Sequence, residues 1–568
     1  MKTFLHHVTS WFWQILIFSY KKILNLQFLQ KFLVSLKTLK IITFDQKRSM
    51  KLCQFYIFLM KVDGQNIKNV IETIKSINHI HKDRYKVYLV SERMIFSENN
   101  YLLQDDFPNN VEKFLSFKEM LQALDLMKNK LEDDLLFSWI NPGDIFSYIA
   151  FEKLEKSLIE FKHGIFFYFD WITKAGNDNR LSPILFPDSS NNLHFSINYL
   201  ENSFLRIHKI DWDNFTYSIE RFNENYFYGL GGKYSESLVH ITEYLCVRFD
   251  YSINTPPIEA LKELNKNIVS IKIEERVNHI FFDHKISKTS IIIPSCDNHD
   301  LLRKCVNSIL MSTTKENYEV IILDNSFSDQ QFEMNNALTF NEKVKIYRLS
   351  MKFNYSAFNN FGSKMAQGDN LIFLNDDIEI CDNDWLHEII QWLDQPKVGI
   401  VGGCLSFPDL TIQHAGIVIG MVGHAGNIFR NHDPRINFSP FGPINWYRNF
   451  YAVTGACLSI KKRLFDDVGG FNEDYQLVYS DVALGVEVNN AGYDVVYNPF
   501  IRMMHHEGKT RKQHVFTQDY QLFENKYRNI LLDGDKFYNK NLSYLSFDPK
   551  IKYVSELSPL SRIEKLRR

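Results

Sequence analysis

The chain has 568 residues, more than one ordinary domain contains, so two or three domains are expected. Its composition, 45% hydrophobic and 23% charged, is typical of globular proteins with a sizeable core. A net charge of −2 gives no general attraction to nucleic acid, and none is expected as a partner. The seven cysteines are scattered and form no CxxC pair, which argues against a disulfide scaffold and against a structural zinc site, and favours a reducing compartment.

Residues 1–49 differ in pattern from the rest of the chain. Aromatic and aliphatic residues between Val8 and Tyr20 are followed by lysines, and Asp45 is the only acid in the segment. This pattern predicts a basic amphipathic helix lying on an anionic membrane, with the protein in the cytoplasm, peripherally on the inner face of the cell membrane. A helix packed on the following domain is the alternative. The charges follow the apolar part, which argues against a signal peptide.

From residue 50 onward, short apolar runs alternate with helix-like stretches, as is typical of parallel α/β structure. Four runs occur between Phe55 and Phe169, and four more follow at similar intervals between Ser290 and Val401. We therefore predict two copies of one α/β domain, although few residues are identical between them. The predicted boundaries are a membrane-associating segment at 1–49, a diverged copy at 50–254, a linker at 255–287, a second copy at 288–532 and a tail at 533–568.

Two adjacent acids, Asp376 and Asp377, follow the apolar run Leu371 to Leu374. Ligands of open α/β sheets bind outside the carboxyl ends of the strands, so both acids are expected at a ligand site. Because neighbouring carboxylates repel each other, the pair indicates a divalent cation, Mg²⁺ or Mn²⁺, between them and a diphosphate. A polar turn with an Asp capping the next helix is the alternative. The first copy offers only Asp144 beside a Pro-Gly turn, so we expect it to be structural or to bind without catalysis.

Two further apolar runs end near acids, Asp297 after SIIIP and Asp324 after EVIIL. If these strands are parallel neighbours, both loops open at the same edge of the sheet. Together they are expected to hold a nucleoside, with Asp297 or Asp324 accepting from a base N–H or from ribose hydroxyls. Asp324 also has a simpler interpretation as a turn residue, because Asp-Asn-Ser is common turn chemistry.

Residues 288 to about 530 resemble the family 2 glycosyltransferases, inverting enzymes with the GT-A fold, and in particular their rhamnosyltransferase-like, O-antigen-assembly branch. The motifs that carry the resemblance are SIIIPSCDN, LDNS, FNYSAFNN, LNDDIE, AVTGACL, DDVGGFNE, SDV, NAGYDVVYNP and HHEGKTR. The resemblance implies an α/β, Rossmann-like GT-A domain, preceded by a diverged, non-catalytic GT-A-like copy. It also implies a nucleotide-diphosphate sugar as donor and a glycan or lipid-linked glycan as acceptor, in surface-polysaccharide synthesis of the O-antigen or capsule type.

The resemblance implies roles for individual residues. Asp481 corresponds to the catalytic base that takes the proton of the acceptor hydroxyl. Asp377 corresponds to a ligand of the divalent cation, and His505 or His506 completes that site. The residues assigned to the donor are Ser295, Asp297, Asp324, Asn359, Asp376, Lys509 and Arg511.

This chain departs from the family pattern next to the base. The family usually has an Asp two residues after the base and an Arg a few positions later, where this chain has Ala483 and Glu487. Such a change is expected either to alter the choice of acceptor or to weaken catalysis. It favours the alternative of a non-catalytic binding or scaffold protein in a polysaccharide assembly complex. A nucleotidyltransferase is less favoured, because SIIIPSCDNHD lacks the Gly-rich basic loop that holds a triphosphate.

Overall fold

The computed structural model describes residues 55–62, 66–77, 84–91, 109–130, 135–147, 150–175, 180–230, 234, 237–248, 255–313, 316–435, 439–506, 517–553 and 555–567. The chain divides into two compact units, a first unit of Met1–Asp188 with Ile197–Lys266 and a second unit of Ser189–Ser196 with Asn267–Arg568. The predicted membrane-associating segment lies outside the described residues. Within the described ranges, no helix is both long and apolar enough to cross a membrane.

A mixed sheet surrounded by helices forms the first unit. Its strands are β1 (Phe55–Lys61), β2 (Tyr85–Val90), β3 (Val111–Phe114), β4 (Leu135–Trp139), β5 (Ile145–Phe146), β6 (Phe166–Ala175), β7 (Arg180–Ile184), β8 (Phe204–Arg206) and β9 (Leu238–Arg248). Its helices are α1 (Ile67–Ile77), α2 (Phe117–Lys130), α3 (Ala150–Glu160), α4 (Trp212–Phe222), α5 (Tyr226–Gly229) and α6 (Ile258–Leu264).

The first sheet has the strand order β3-β2-β1-β4-β8-β6-β9-β5, and β7 pairs with β6. Strands β1 to β4 are mutually parallel where they pair, whereas β8 runs antiparallel to both β4 and β6. The central strands β1 and β4 are buried almost throughout, as continuous apolar runs in a parallel sheet covered on both faces should be.

The second unit is built around another mixed sheet. Its strands are β10 (Ile268–Glu274), β11 (Val277–Phe282), β12 (Thr289–Ser295), β13 (Tyr318–Asp324), β14 (Val344–Arg348), β15 (Asn370–Leu374), β16 (Ile378–Ile380), β17 (Val398–Ser406), β18 (Ile412–His414), β19 (Ile417–Ile419), β20 (Ala425–Asn427), β21 (Arg448–Phe450), β22 (Cys457–Lys461) and β23 (Asp494–His505). Its helices are α7 (His299–Ser312), α8 (Asp329–Asn336), α9 (Tyr355–Met365), α10 (Trp385–Leu393), α11 (Lys462–Asp467), α12 (Ser480–Asn490), α13 (Thr517–Lys526), α14 (Arg528–Asp533) and α15 (Pro559–Arg567).

The second sheet repeats the topology of the first. Its strand order is β14-β13-β12-β15-β22-β17-β23-β16, with β18 on β17, and each of these strands has a counterpart at the same place in the first sheet. The tenth strand, β21, pairs with β23 and has no counterpart among the described strands of the first sheet. The strand directions also correspond, parallel from β14 to β15 and antiparallel at β22. Descent of the two units from one ancestral domain stays a prediction.

Close packing in the second unit fixes the strands that lead to the predicted site. Ile292 of β12, Leu323 of β13 and Phe373 of β15 are fully buried in one apolar cluster. Helix α9 lies directly on β12 at Gly362, where a Cβ atom would come within 2.5 Å of Ile292 Cγ2. The ends of β12, β13 and β15 are therefore held firmly relative to one another.

Two intervals are more ordered than the sequence suggests. The interval 255–287, predicted as a linker, contains α6 and the antiparallel pair β10–β11, because residues such as Leu261 and Ile280 are buried. The interval 533–568, predicted as a tail, contributes buried residues such as Leu542 and Tyr544 to the second unit. The first interval is predicted as a linker because it is charged and contains Pro256-Pro257, and neither property shows which of its apolar residues are buried.

Candidate active site

The parallel strands β12, β13 and β15 bring residues that are predicted to bind the sugar donor to one edge of the second sheet. In the register of β12 and β13, Ser295 pairs with Asp324, so both strands end at the same level. The Ser295 hydroxyl donates to Asp376 Oδ2 at 2.7 Å, which joins the loop after β15 to the same edge. The sequence prediction that these loops open together is confirmed by this register.

Asp324 is fully buried at the end of β13. Its Oδ1 accepts from the backbone N–H of Ser326 at 3.0 Å, and its Oδ2 accepts from the Ser326 hydroxyl at 3.0 Å and from Asn335 Nδ2 at 2.5 Å. Both oxygens are thus used to shape the loop, as the turn interpretation expected. The structure places this carboxylate beneath the loop surface, where it supports the loop.

Asp297, by contrast, is exposed in the loop after β12. Its backbone lies in the left-handed region, with φ at +49°, which an Asp tolerates better than most residues do. Its Oδ1 accepts from the backbone N–H of Phe327 at 3.1 Å, which ties the two loops together. Of the two acids predicted to contact a nucleoside, Asp297 is therefore the one at the surface.

Asp376 is a partly buried carboxyl with an altered proton affinity. Burial raises its pKa to about 7, the nearby charge of Asp377 adds to that rise, and the hydrogen bond from Ser295 opposes it. A pair of adjacent acids at this edge resists carrying two negative charges unless a cation compensates them.

Asp377 meets His505 across the pairing of β16 with β23, in which Ile378 is the register partner of His505. The His505 Nε2 atom lies 3.0 Å from Asp377 Oδ1, and the His505 side chain is only 4% exposed. Its Nδ1 atom is buried and has no hydrogen-bond partner among the described residues. A buried imidazole nitrogen without a hydrogen-bond partner is unusual in protein interiors.

The neighbouring histidine points elsewhere. His506 Nε2 lies 2.8 Å from Glu379 Oε2, and only its backbone N–H contacts Asp377, donating to the carbonyl oxygen at 2.9 Å. Successive side chains at the end of a strand alternate between faces, so the two histidines cannot serve one site equally. The structure brings His505, and not the side chain of His506, to the predicted cation ligand.

The Asp377–His505 pair fits two of the positions around a divalent cation. Among the described residues, no group of three or more His, Cys, Asp and Glu side chains is arranged to hold a metal ion. An ion with bonds of about 2.1 Å and octahedral geometry has neighbouring donors roughly 3 Å apart, which is the separation of these two atoms. Such an ion usually takes its other ligands from water and from substrate phosphates. The residues present therefore fit the predicted Mg²⁺ or Mn²⁺.

Asp481 lies in the first turn of α12, where a negative charge is stabilised by the helix dipole. Its Oδ2 accepts from the backbone N–H of Gly455 at 2.7 Å, and its Oδ1 accepts from the N–H of Val482 at 2.9 Å. The residue before the helix, Tyr479, adopts a left-handed backbone with φ at +64°, which is rare for a bulky side chain. The carboxylate predicted as the base is thus held in one orientation by backbone contacts.

The 454–457 loop connects Asp481 with the paired acids. Gly455 holds Asp481, and the carbonyl of the next residue, Ala456, accepts from Asn375 N–H at 3.1 Å, directly before Asp376. Tyr355 donates from its hydroxyl to the Gly455 carbonyl at 2.8 Å. A Cβ atom at position 455 would lie 2.6 Å from that hydroxyl, so only glycine fits. One short loop therefore positions the predicted base and the predicted cation ligands together.

Asp519, in the first turn of α13, is a supporting residue that the sequence does not reveal. It is fully buried, and its two oxygens accept from three successive backbone N–H groups, those of Gln476, Leu477 and Val478, at 3.0 to 3.2 Å. These contacts fix the chain just before Tyr479 and the base. From the sequence, an acid near the start of a helix is predicted to be an N-cap. Nothing in the sequence indicates that Asp519 contacts residues more than 40 positions away.

One residue predicted to bind the donor is buried away from this surface, and two others are not described. Asn359 is fully buried in α9 and donates to the carbonyl of Tyr355 at 2.9 Å, which is a contact within the helix. Lys509 and Arg511 lie outside the described residues, so their predicted contact with phosphate stays a prediction.

The two residues that depart from the family pattern, Ala483 and Glu487, both contact α13 or the residue that follows it. Ala483 is buried in an apolar cluster that includes Phe523 and Tyr527. Glu487 accepts from the Tyr527 hydroxyl at 2.9 Å and pairs with Lys526 Nζ at 2.9 Å. Burial raises the pKa of Glu487, but the hydrogen bonds from Lys526 and Tyr527 outweigh it and leave the pKa below its usual value. Both residues thus take part in holding α13 against α12.

The chain is similar to known proteins. The chain is 39% identical over 264 residues to the O-antigen biosynthesis protein RfbC of Myxococcus xanthus, covering 46% of this chain and 21% of that protein. It is 35% identical over 65 residues to the N-acetylglucosaminyl-diphospho-decaprenol L-rhamnosyltransferase of Mycobacterium tuberculosis, covering 11% of this chain and 19% of that protein. The matches thus span only about a fifth of the length of each relative.

A solved structure, the mannosyltransferase PcManGT of Pyrobaculum calidifontis in complex with GDP-Man and Mn²⁺, is 15% identical, with a TM-score of 0.31 over 40% of this chain and 59% of that one. The model of Glycosyl transferase family 2 matches residues 290–469, which run from β12 to the end of α11 and include the acids after β12, β13 and β15. With the mixed sheet described above, this match confirms the predicted α/β class and the GT-A assignment of the second unit. Residues 290–469 of this chain form a family 2 glycosyltransferase domain.

Proposed function

We propose that the second unit is an inverting glycosyltransferase that moves one sugar from a nucleotide-diphosphate donor to a hydroxyl of a glycan acceptor. The observation that carries this proposal is the 454–457 loop, which holds Asp481 through Gly455 and contacts the Asp376–Asp377 segment through Ala456. A base for the acceptor and a cation site for the donor are thus mounted on one rigid element. Single-displacement transfer needs both groups close together.

In the proposed reaction, the acceptor hydroxyl attacks the anomeric carbon from the face opposite the leaving nucleotide. Asp481 takes the hydroxyl proton as the new bond forms, a role for which its fixed orientation suits it. Asp297, exposed beside β13, contacts the nucleoside. Asp377 and His505 would hold a divalent cation, which supplies positive charge for the departing diphosphate. No covalent nucleophile is required.

The proposed pathway is surface-polysaccharide synthesis of the O-antigen or capsule type, with a lipid-linked or polymeric glycan as acceptor. The names of the two relatives, one an O-antigen biosynthesis protein and one a rhamnosyltransferase acting on a lipid diphosphate, support this class. Rhamnosyl or hexosyl donors fit the proposal equally, because the described residues of the site do not distinguish them.

The experiment that tests this proposal is nucleotide release by the purified full chain from a panel of UDP-, GDP- and dTDP-sugars, with and without Mn²⁺ or Mg²⁺. We expect cation-dependent release from one donor, and loss of release in Asp377→Ala and in Asp481→Asn. Asp481→Asn should still bind the donor, because Asn keeps the size of the base and one acceptor oxygen while it loses the negative charge and the proton affinity. Asp467→Asn, at an exposed acid that ends α11, is the matched control and should behave as the wild type.

A different result would favour the second candidate function, a non-catalytic scaffold. Ala483 and Glu487 favour that candidate, because both are used in packing rather than facing an acceptor. Binding of a nucleotide without release from any donor, even with glycan acceptors added, would support the scaffold and contradict the transferase.

We also propose that the protein associates peripherally with the inner face of the cell membrane through residues 1–49. Their excess of lysine supports this placement, since anionic lipid attracts basic segments. Co-sedimentation of the full chain with phosphatidylglycerol vesicles should occur at low salt and weaken at high salt. Failure to bind these vesicles at low salt would contradict the placement.

A further inference from the structure

Phe327 is an exposed aromatic residue at the edge of the sheet where the predicted donor residues meet. It follows β13 by three positions, and 85% of its surface is accessible to solvent. Among the described residues, no aromatic ring and no cationic side chain contacts its ring. Isolated apolar residues are common on protein surfaces, so exposure alone does not indicate a function. The position of Phe327 at the ends of the strands, and the hydrogen bonds that hold its backbone, do indicate one.

The backbone around Phe327 is held by neighbouring loops. Its own N–H donates to Asp297 Oδ1 at 3.1 Å. Two positions earlier, Asn325 donates from its N–H to the Ser295 carbonyl at 2.9 Å and from its side chain to the Leu349 carbonyl at 2.6 Å. Ser328 caps α8 through the N–H of Gln331 on the other side. The ring is therefore carried by a rigid segment, which is how a preorganised contact surface is built.

The location of the ring limits what it can contact. Strands β12 and β13 are parallel and end in register, and ligands of such sheets bind just beyond the carboxyl ends of the strands. Asp297 stands beside Phe327, and no described residue donates to its Oδ2 atom. A flat group with polar N–H donors on its edge would satisfy both residues at once, its face against the ring and its edge against the carboxylate.

We infer that Phe327 is the platform on which the nucleobase of the donor stacks. Nucleobases are flat and carry edge donors, and their stacking on aromatic side chains tolerates any base because every base has a π-face. This inference rests on the proposed function, since it assumes a nucleoside diphosphate as the donor. The carboxylate of Asp324 is buried, so it cannot accept from the edge of the base as Asp297 can.

The test is isothermal titration of UDP, GDP, dTDP, ADP and CDP into the full chain in the presence of Mn²⁺. For the nucleotide that the wild type binds, Phe327→Ala should weaken binding by about 5-fold to 150-fold, the range for loss of one base stack. Phe327→Tyr keeps the ring and should bind as the wild type. Saturation-transfer NMR should show, for Phe327→Ala, a selective loss of transfer to the base protons relative to the ribose protons.

Phe340 provides the matched control. It is 76% exposed, at the end of a short 3₁₀ helix that precedes β14, and so lies at the opposite edge of the same sheet. Phe340→Ala should leave nucleotide affinity unchanged. Wild-type affinity in Phe327→Ala overturns the inference and leaves the proposed function standing. Absence of binding by the wild type overturns the proposed function, and this inference with it.

Discussion

At corresponding positions of the two sheets, an aspartate pairs with a different basic residue. In the first unit, Asp144 lies between β4 and β5, and Arg248 ends β9. In the second unit, Asp377 lies between β15 and β16, and His505 ends β23. The Arg248 Nε atom is 3.4 Å from Asp144 Oδ1, whereas the His505 Nε2 atom is 3.0 Å from Asp377 Oδ1. The same position in the topology therefore holds an arginine in one unit and a histidine, a common metal ligand, in the other.

The two acids, Asp144 and Asp377, also differ in how deeply they are buried and in how many partners surround them. Arg248 also binds Glu201 at 2.9 Å, and Asp144 accepts from Asn202 at 2.6 Å, all within the buried interior of the first unit. Burial raises the pKa of Asp144, and the guanidinium charge of Arg248 opposes that rise. Asp377, in contrast, keeps 15% of its side chain exposed. The first unit satisfies these charges internally, and the second leaves part of Asp377 exposed, as the proposed cation site requires.

Replacing Arg248 should therefore have the largest effect on stability. Arg248→Leu leaves two buried carboxylates without their counter-charge, and removing one partner of a buried ion cluster typically destabilises by about 3–5 kcal/mol. Urea unfolding of the full chain, with hydrogen exchange of peptides from β9, measures this loss. Nucleotide affinity at the second unit should not change. A small change in unfolding free energy would contradict a structural role of the cluster.

Replacing His505 should affect turnover instead. His505→Leu removes a predicted cation ligand, and losing the charge that a bound metal provides should lower turnover by roughly a hundredfold to a thousandfold. A leucine removes the buried Nδ1 atom that has no partner among the described residues, but it also removes the contact with Asp377, so the unfolding free energy should change little. Initial rates with a saturating donor, measured beside urea unfolding, separate the two effects.

The adjacent histidine is the control for that experiment. His506 contacts Glu379 at the rim, so His506→Gln should retain turnover within a few-fold of the wild type. Equal losses in His505→Leu and His506→Gln would show that both histidines serve the cation, as the sequence alone allowed.

These contrasts also show which parts of the molecule the sequence predicts. The apolar runs predict the strands, and the acids that end them predict the edge at which the site lies, because both depend on neighbours in the chain. The partner of Asp144 is 104 positions away, and the contact of Asp519 with Val478 spans 41 positions. Such partners depend on how distant segments pack, which a local pattern does not encode. The choice between His505 and the next residue depends on strand register in the same way.

The first unit contains a second buried charge that makes its stability depend on pH. His240 lies 3.1 Å from Asp170 and 2.7 Å from Asp188. Burial lowers the pKa of His240, but the charges and hydrogen bonds of the two acids outweigh it and raise the pKa from 6.5 to about 9. In the second unit the buried His414 behaves oppositely, since burial lowers its pKa to about 4.

The sign of the pH effect follows from these values. Folding binds a proton at His240 that the unfolded chain releases above its pKa of 6.5, so the stabilisation is complete below pH 6.5 and is lost as the pH rises through about 9. We expect the difference in unfolding free energy between wild type and His240→Gln to shrink over that window by on the order of 3 kcal/mol. Urea unfolding at intervals from pH 6 to pH 10 measures it. A difference that stays constant would contradict a charged His240.

The smallest expected effect tests whether the departures from the family pattern have weakened catalysis in the second unit. Glu487 and Lys526 are 35% and 44% exposed, so their ion pair should contribute at most about 1 kcal/mol to stability. Glu487→Gln keeps the hydrogen bond from Tyr527 and should change both the unfolding free energy and the turnover little, and a double-mutant cycle with Lys526→Met isolates the pair. If turnover instead fell tenfold while stability held, Glu487 would take part in binding the acceptor. The presence of Glu487 where the family usually has an arginine would then be a change of specificity and not a loss of catalysis.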